Sequence, residues 1–237
     1  MIEKALKYIV ELRKPEIQNI DGETYSDKQL HRIRYNPTAQ PIELNTLTSL
    51  VDYIVSEFDV RDKLFVHIVS PIRVEVFSAL DIERSREKLL VVNALVPRFD
   101  FGQFIDHEAF CIGLQSKFID ADDRALLLKF AGTVEAGSVA QYGDDGVTQK
   151  ATVKTGVASK AEGIVPNPVL LSAYRTFLEV EQPTARYVFR MKQNNMGAVQ
   201  CALFEADGGA WQIAAKEAIK AFLVGELESY DDIVVIS

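Results

Sequence analysis

VPNPVLLSAYRTFLEVEQPTARYVFRMKQNNMGAVQCALFEADGGAW, residues 165–211, carries strand period, turn chemistry and a helix start in one stretch. Read at period two, Tyr174 to Glu181 predicts a strand with Thr176, Leu178 and Val180 on one face. Arg175, Phe177, Glu179 and Glu181 fall on the other. The next run repeats the pattern: Tyr187, Phe189 and Met191 alternate with Arg186, Val188, Arg190 and Lys192, and Gln182, Pro183, Thr184 and Ala185 form the loop between the runs. This register sets Glu181 opposite Arg186, with Glu179 diagonal to Arg186 and Arg190. Acid then pairs with base on a solvated face, while Leu178, Val180, Tyr187 and Phe189 meet on the core face.

The sheet continues through the turn-rich Gln193–Gly197 into a third strand, where Val199, Cys201 and Leu203 alternate with Gln200, Ala202 and Phe204. Beyond Asp207-Gly208-Gly209 a helix is predicted, because Trp211, Ala215, Ala218, Ile219, Phe222 and Leu223 recur at helical spacing. Asp207 or a glycine caps it. A strand-to-helix turn of this kind can also cradle an anion on free amides and the positive helix end. Against that, the turn lacks the spacing of a dinucleotide or phosphate loop, and Glu205 and Asp207 repel phosphate. The ligand-binding candidates are Asp207, Gly208 and Gly209, with Arg175, Arg186 and Arg190 on the charged strand face. Trp211, the single tryptophan, heads the apolar stripe and reads as a core anchor.

Tyr174-Arg175-Thr176-Phe177, then Glu179 and Glu181-Gln182-Pro183, then Ala202-Leu203-Phe204-Glu205-Ala206-Asp207-Gly208-Gly209 before Trp211, resemble the C-terminal part of the YfdQ-like proteins of phages and prophages. The likeness is clearest over residues 165–223, and that family has no assigned function. The resemblance implies a phage or prophage accessory protein in the bacterial cytoplasm, coded near replication, recombination or host-takeover functions. It carries over no catalytic motif.

Composition bounds the class independently. At 48% hydrophobic and 25% charged, 237 residues can bury a sizeable core in one large domain or two small ones. The net charge of -8 argues against binding dominated by nucleic-acid phosphates, while leaving room for a local basic groove. MIEKALKYIVELRK is interrupted by charge every few residues and reads as neither signal peptide nor membrane span, so cytoplasm is the expected location. Cys111 and Cys201 lack metal or redox spacing and are expected as free buried thiols.

The expected class is α+β, with mixed, largely antiparallel sheets and helices packed on one face. An N-terminal region, 1–132, holds helices near 2–14 (Ile2, Leu6, Ile9 and Val10 inward), 45–58 (Leu47, Leu50, Val51, Ile54 and Phe58 inward, capped by Asn45 or Thr46) and 120–131 (Leu126, Leu127 and Phe130 inward, capped by Asp120). Its strands fall in 63–96 and, through the alternation of Phe110, Ile112 and Leu114, in 108–117. Asp21-Gly22 and Asn36-Pro37 mark turns in the polar stretch between the first two helices. Within it Lys28, His31, Arg32, Arg34 and Tyr35 form a short basic cluster, read as a solvated segment. Residues 133–163 form a hairpin arm or linker turning at Gly143-Asp144-Asp145-Gly146, and 164–237 the C-terminal sheet and helix.

Three constellations invite chemistry. Asp106-His107-Glu108 sets an imidazole between carboxylates, although strand neighbours point apart and no second His stands at ligand spacing. Gly143-Asp144-Asp145 echoes a metal-holding acidic turn but matches a hairpin signal. Asp120, Asp122 and Asp123 lack the Gly and Glu of a calcium loop and suit a helix start. The sequence thus calls for no metal and no cofactor. The leading expectation is a non-enzymatic phage accessory protein acting by binding or assembly: a homo-oligomeric scaffold, a sequestering protein or a host-factor inhibitor. The alternative is an accessory of phage DNA replication or recombination, with Arg186, Arg190 and Lys192 beside Tyr35 or Phe177 as a single-strand platform. An enzyme built on His107 is a third reading.

Overall fold

The computed structural model describes residues 4, 7–8, 11, 14–29, 38–59, 63–82, 84–142, 149–154, 160–164 and 167–237. It divides into two compact units, 1–38 and 39–237. In the first unit Lys4, Lys7, Tyr8 and Glu11 are helical, and Ile2, Leu6, Ile9 and Val10 lie outside the described residues. Asp21 and Gly22 both take positive φ, +53° and +87°, which a right-twisting two-residue hairpin turn requires. They join the antiparallel strands β1 (Ile17–Ile20) and β2 (Glu23–Ser26). Lys28 donates to the Lys14 carbonyl at 2.7 Å; the other members of the basic cluster, His31 to Tyr35, lie outside the described residues.

The second unit is built from two layered halves. In the first, β4 (Leu64–Ser70), β5 (Arg73–Ser78) and β6 (Lys88–Asn93) form the antiparallel meander expected from their alternation. Its edges come from far away in sequence. β3 (Ile42–Leu44) pairs in parallel with β6, and β14 (Ile233–Ile236) in parallel with β4, giving the order β14-β4-β5-β6-β3. Helices α1 (Leu47–Val55) and α4 (Ala210–Glu226) cover one face, burying Leu50, Ile54, Ile219 and Leu223 against Val66, Ile68, Val76 and Val92. Thr46 caps α1 by accepting from Ser49 N. The expected inward Phe58 is instead 80% exposed, because α1 ends at Val55 and Glu57 turns the chain at φ +49°.

On the face of this sheet turned away from α1 and α4, Glu75 is buried, with Arg73 Nη2 at 2.5 Å and Lys88 Nζ at 3.0 Å from its Oε1. Burial pushes its carboxyl up, but the hydrogen bonds and charges of Arg73 and Lys88 outweigh this and hold it below the usual range. The folded value being depressed, Glu75 contributes stability above the ordinary carboxylate pKa and loses it as pH falls through the lowered one. A pH series of urea midpoints should therefore show an acid-side decline that is shallower in Glu75→Gln than in the parent chain.

The second half carries the sheet β11-β12-β13-β7: β11 (Val169–Ser172), β12 (Thr184–Gln193), β13 (Val199–Glu205) and β7 (Ile105–Asp106), all antiparallel. Tyr187, Phe189, Met191, Cys201 and Leu203 point inward as their alternation predicts, against α2 (His107–Lys117) and α3 (Arg124–Thr133). Residues 108–117, expected as a strand, are the helix α2. Phe110 and Leu114 are buried one turn apart while Ile112 is 58% exposed, so the burial period is helical. The third helix starts at Arg124 rather than 120, and Leu126 faces outward while Leu127 and Ala131 are buried. The stretch expected as an arm or linker, 133–163, holds β8 (Val134–Tyr142), β9 (Gln149–Lys154) and most of β10 (Lys160–Ile164), which form an antiparallel sheet. The turn Gly143–Gly146 lies outside the described residues.

The largest departure concerns Tyr174–Glu181. The strand that pairs with β12 is upstream, with Val169 opposite Tyr187 and Leu170 opposite Arg186. Tyr174–Glu181 is irregular and ties the two halves together. Arg175 is buried, and Phe177 enters the core under the five-stranded sheet. Thr176 Oγ1 donates to the Pro71 carbonyl at 2.5 Å. Glu179 Oε1 accepts from Leu47 N (2.8 Å) and Thr48 N (3.3 Å), capping α1 from 132 positions away. Leu178, expected inward, is 69% exposed.

Candidate functional site

The displacement of Tyr174–Glu181 changes the electrostatics of β12. With Glu179 at α1 and no strand carrying Glu181 beside Arg186, the expected acid–base ladder does not form. On the outward face of β12, Arg186, Val188, Arg190 and Lys192 stand in a row at steps of about 7 Å per two residues. Among the described residues no carboxylate forms an ion pair with Arg186, Arg190 or Lys192. Arg190 Nη1 donates to the Phe189 carbonyl, at 3.1 Å.

Aromatic rings flank this row. Val188 pairs across the strands with Phe204, so the Phe204 ring shares the outward face. Phe104, in the loop leading to β7, meets Phe204 edge-on at 6.0 Å between ring centres. Lys192 Nζ lies 4.2 Å from the centre of the Phe104 ring. Phe104, Phe204, Val188 and Arg190 are half-buried, and Arg186 and Lys192 exposed. The alternation of β13 already places Phe204 on the outward side of its strand. Phe104 has no such signal, since it sits in an irregular segment with no period. Of the aromatics proposed from sequence, Phe177 is buried in the other half and Tyr35 lies outside the described residues.

Asp207, Gly208 and Gly209 form a cap. Gly208 and Gly209 take φ +64° and +84°, conformations that a side chain would strain. Asp207 Oδ1 accepts from Gly209 N at 3.1 Å and Oδ2 from Trp211 N at 3.2 Å. A carboxylate thus already occupies the positive end of α4, which is why the turn does not present itself to an anion. Asp207 and Arg186 nevertheless come together, lining one groove of about 480 Å³ with Trp211.

Arg175 belongs to neither the turn nor the outward face. It is 8% exposed, with Nη1 2.5 Å from Glu205 Oε1 and its guanidinium 3.9 Å from the centre of the Trp211 ring. Tyr187 and Phe101 complete the enclosure at 5.5 and 5.7 Å. Burial pushes the Tyr187 phenol up, opposed by the Arg175 charge.

Of the remaining candidates, those among the described residues make contacts within the fold. Asp106 caps α2 by accepting from Glu108 N and Ala109 N. His107 Nε2 lies 2.7 Å from the Ala131 carbonyl, joining α2 to the end of α3, and 3.7 Å from Cys111 Sγ. Burial raises the Cys111 thiol pKa, with Asp106 adding to it, and pushes Cys201 up to about 12. Both thiols therefore stay protonated at neutral pH, the opposite of an activated nucleophile. Asp120 pairs with Arg124 instead of capping, while Asp122 and Asp123 accept from Ser172 Oγ and Leu170 N on β11. Among the described residues no group of three or more His, Cys, Asp or Glu is placed to hold a metal ion, and no helix is long and apolar enough to cross a membrane.

Compared with protein-family models, curated proteins and solved structures, the chain matches none.

Proposed function

We propose that this protein acts by binding single-stranded nucleic acid along the outward face of β12 and β13, as an accessory of phage or prophage DNA metabolism. The observation that carries this reading is the row Arg186, Arg190 and Lys192, without carboxylate partners among the described residues and beside Phe104 and Phe204. Sequence-tolerant single-strand binders combine cations that follow the backbone with rings on which bases stack. The row supplies the first and the two phenylalanines the second. The overall charge of -8 weakens long-range attraction to a polyanion, so binding rests on the local basic face and on stacking. The resemblance of the C-terminal third to the YfdQ-like proteins supplies the phage setting.

Binding of a fluorescent oligothymidylate, followed by anisotropy from low to moderate salt, is the test. Each phosphate contact on a single strand contributes about 0.7 to the slope of log K against log salt, so Arg186→Ala/Arg190→Ala/Lys192→Ala should flatten that slope by about 2. Phe204→Ala should weaken binding by about 1–3 kcal/mol with little change in slope, since a stacking contact releases no counterion. A parent chain that does not bind at low salt would sink the proposal.

A further inference from the structure

Resting on that reading, we infer that the groove where Arg186 meets the start of α4 takes one unstacked base of the bound strand, with preference for a base bearing an exocyclic amine. The groove, about 480 Å³, lies between the outward side of β11 and β12 and the first turns of α4. That volume lies within the range of small-ligand sites. Arg186 belongs both to the cation row and to the groove wall, so a strand whose phosphate sits on Arg186 has a base within reach of the groove. The floor is small: Ala206, Ala210 and Ala214 project no side chain beyond a methyl, and Trp211 lines the space beside them.

Asp207 decides which part of a nucleotide enters. Its carboxylate repels phosphate, which leaves the phosphate at Arg186 and the base at the Asp207 end. Each Asp207 oxygen already accepts one backbone N–H, from Gly209 and from Trp211, and retains a further lone pair. A carboxylate acceptor in that position matches the amino group of cytosine, and equally that of adenine or guanine, while thymine has no exocyclic amine and sets the O4 carbonyl, which a carboxylate repels, where cytosine has its amino group. The added Cβ of a residue at 208 would meet nothing within 4 Å, so the turn itself leaves the approach open.

Trp211, the only tryptophan, makes the groove observable in the full chain. Labelled strands of about 20 nucleotides, one oligocytidylate and one oligothymidylate, would be titrated while both label anisotropy and Trp211 emission are read. The expected result is a change in Trp211 emission with oligocytidylate, and binding of oligocytidylate about threefold or more tighter than of oligothymidylate. Ala214→Phe, at an exposed position of α4, fills the groove. It should abolish the emission change and weaken oligocytidylate binding about tenfold at an unchanged salt slope, and Ala210→Leu should act in the same direction. Binding seen by anisotropy with Trp211 emission unmoved, or unaltered in Ala214→Phe, overturns the groove and leaves the β12 platform standing. Failure of both strands to bind overturns the platform itself.

Discussion

Gln182→Ala is expected to lower the free energy of unfolding by about 4 kcal/mol, a large effect for a residue with no ionic or apolar role. Gln182 is 5% exposed, and its amide does for Tyr174–Glu181 what a neighbouring strand would have done. Oε1 accepts from Arg175 N at 2.9 Å and Thr176 N at 3.2 Å; Nε2 donates to the carbonyls of Phe177 at 2.9 Å and Val180 at 3.3 Å. Truncation leaves these backbone groups without their partner in a region closed to solvent, at about 1–3 kcal/mol for each group that water does not reach. Partial hydration of the new space keeps the sum over the four groups at the lower end of that range, about 4 kcal/mol. Gln182→Glu should recover little, since it keeps the acceptor, loses the donor and places a charge where the amide was. In urea unfolding the midpoint should fall with the slope unchanged. A loss below about 1 kcal/mol would mean that the segment holds its path by other means, with Thr176 on Pro71 and Glu179 on α1 the remaining ties.

This segment also shows what the sequence could and could not convey. Where an element buries one face, its period is visible: β12, β13 and α4 were read from alternation and helical spacing, and the structure places Tyr187, Phe189, Cys201, Ile219 and Leu223 inward as expected. The α+β class followed from the same signals. Tyr174–Glu181 alternates too, but its polar members are buried against partners far away, Arg175 on Glu205 and Thr176 on the Pro71 carbonyl 105 positions distant. No local pattern encodes such partners. In α2 the alternation of Phe110, Ile112 and Leu114 hid a helix, and Gly113 marks where it lies close to Phe99: a Cβ there would stand 3.1 Å from that ring. The short edges β3 and β14 pair in parallel with remote strands, so no turn announces them. For the candidate site, the cations Arg186, Arg190 and Lys192 were legible by name. That they form no ion pair among the described residues was not, because it depends on where Glu179 goes, and Glu179 goes to α1.

Arg175→Ala is expected to destabilise by about 3 kcal/mol and to shift Trp211 emission to the red. The guanidinium sits between Trp211, Tyr187 and Phe101 and reaches Glu205 through Nη1. Two contributions compete for the credit. Glu205 keeps 42% of its side chain exposed, so water already solvates the carboxylate and the ion pair alone is worth about 1 kcal/mol. The three rings surround a charge that has little water of its own, where cation–π attraction is strongest and a planar cation fits best. The rings should therefore dominate. Arg175→Lys would then recover little, since an ammonium neither stacks flat on Trp211 nor covers the same surface, and Glu205→Gln would cost about 1 kcal/mol. A double-mutant cycle between Arg175→Met and Glu205→Gln measures the pair directly: a coupling near or below 1 kcal/mol supports the rings, and one near 3 kcal/mol assigns the site to the carboxylate instead. Because Trp211 also lines the groove at Arg186, the same variants show whether loosening Arg175 is felt at the nucleic-acid face. If ring packing holds Trp211, Arg175→Met should weaken the emission response to oligocytidylate more than Glu205→Gln does.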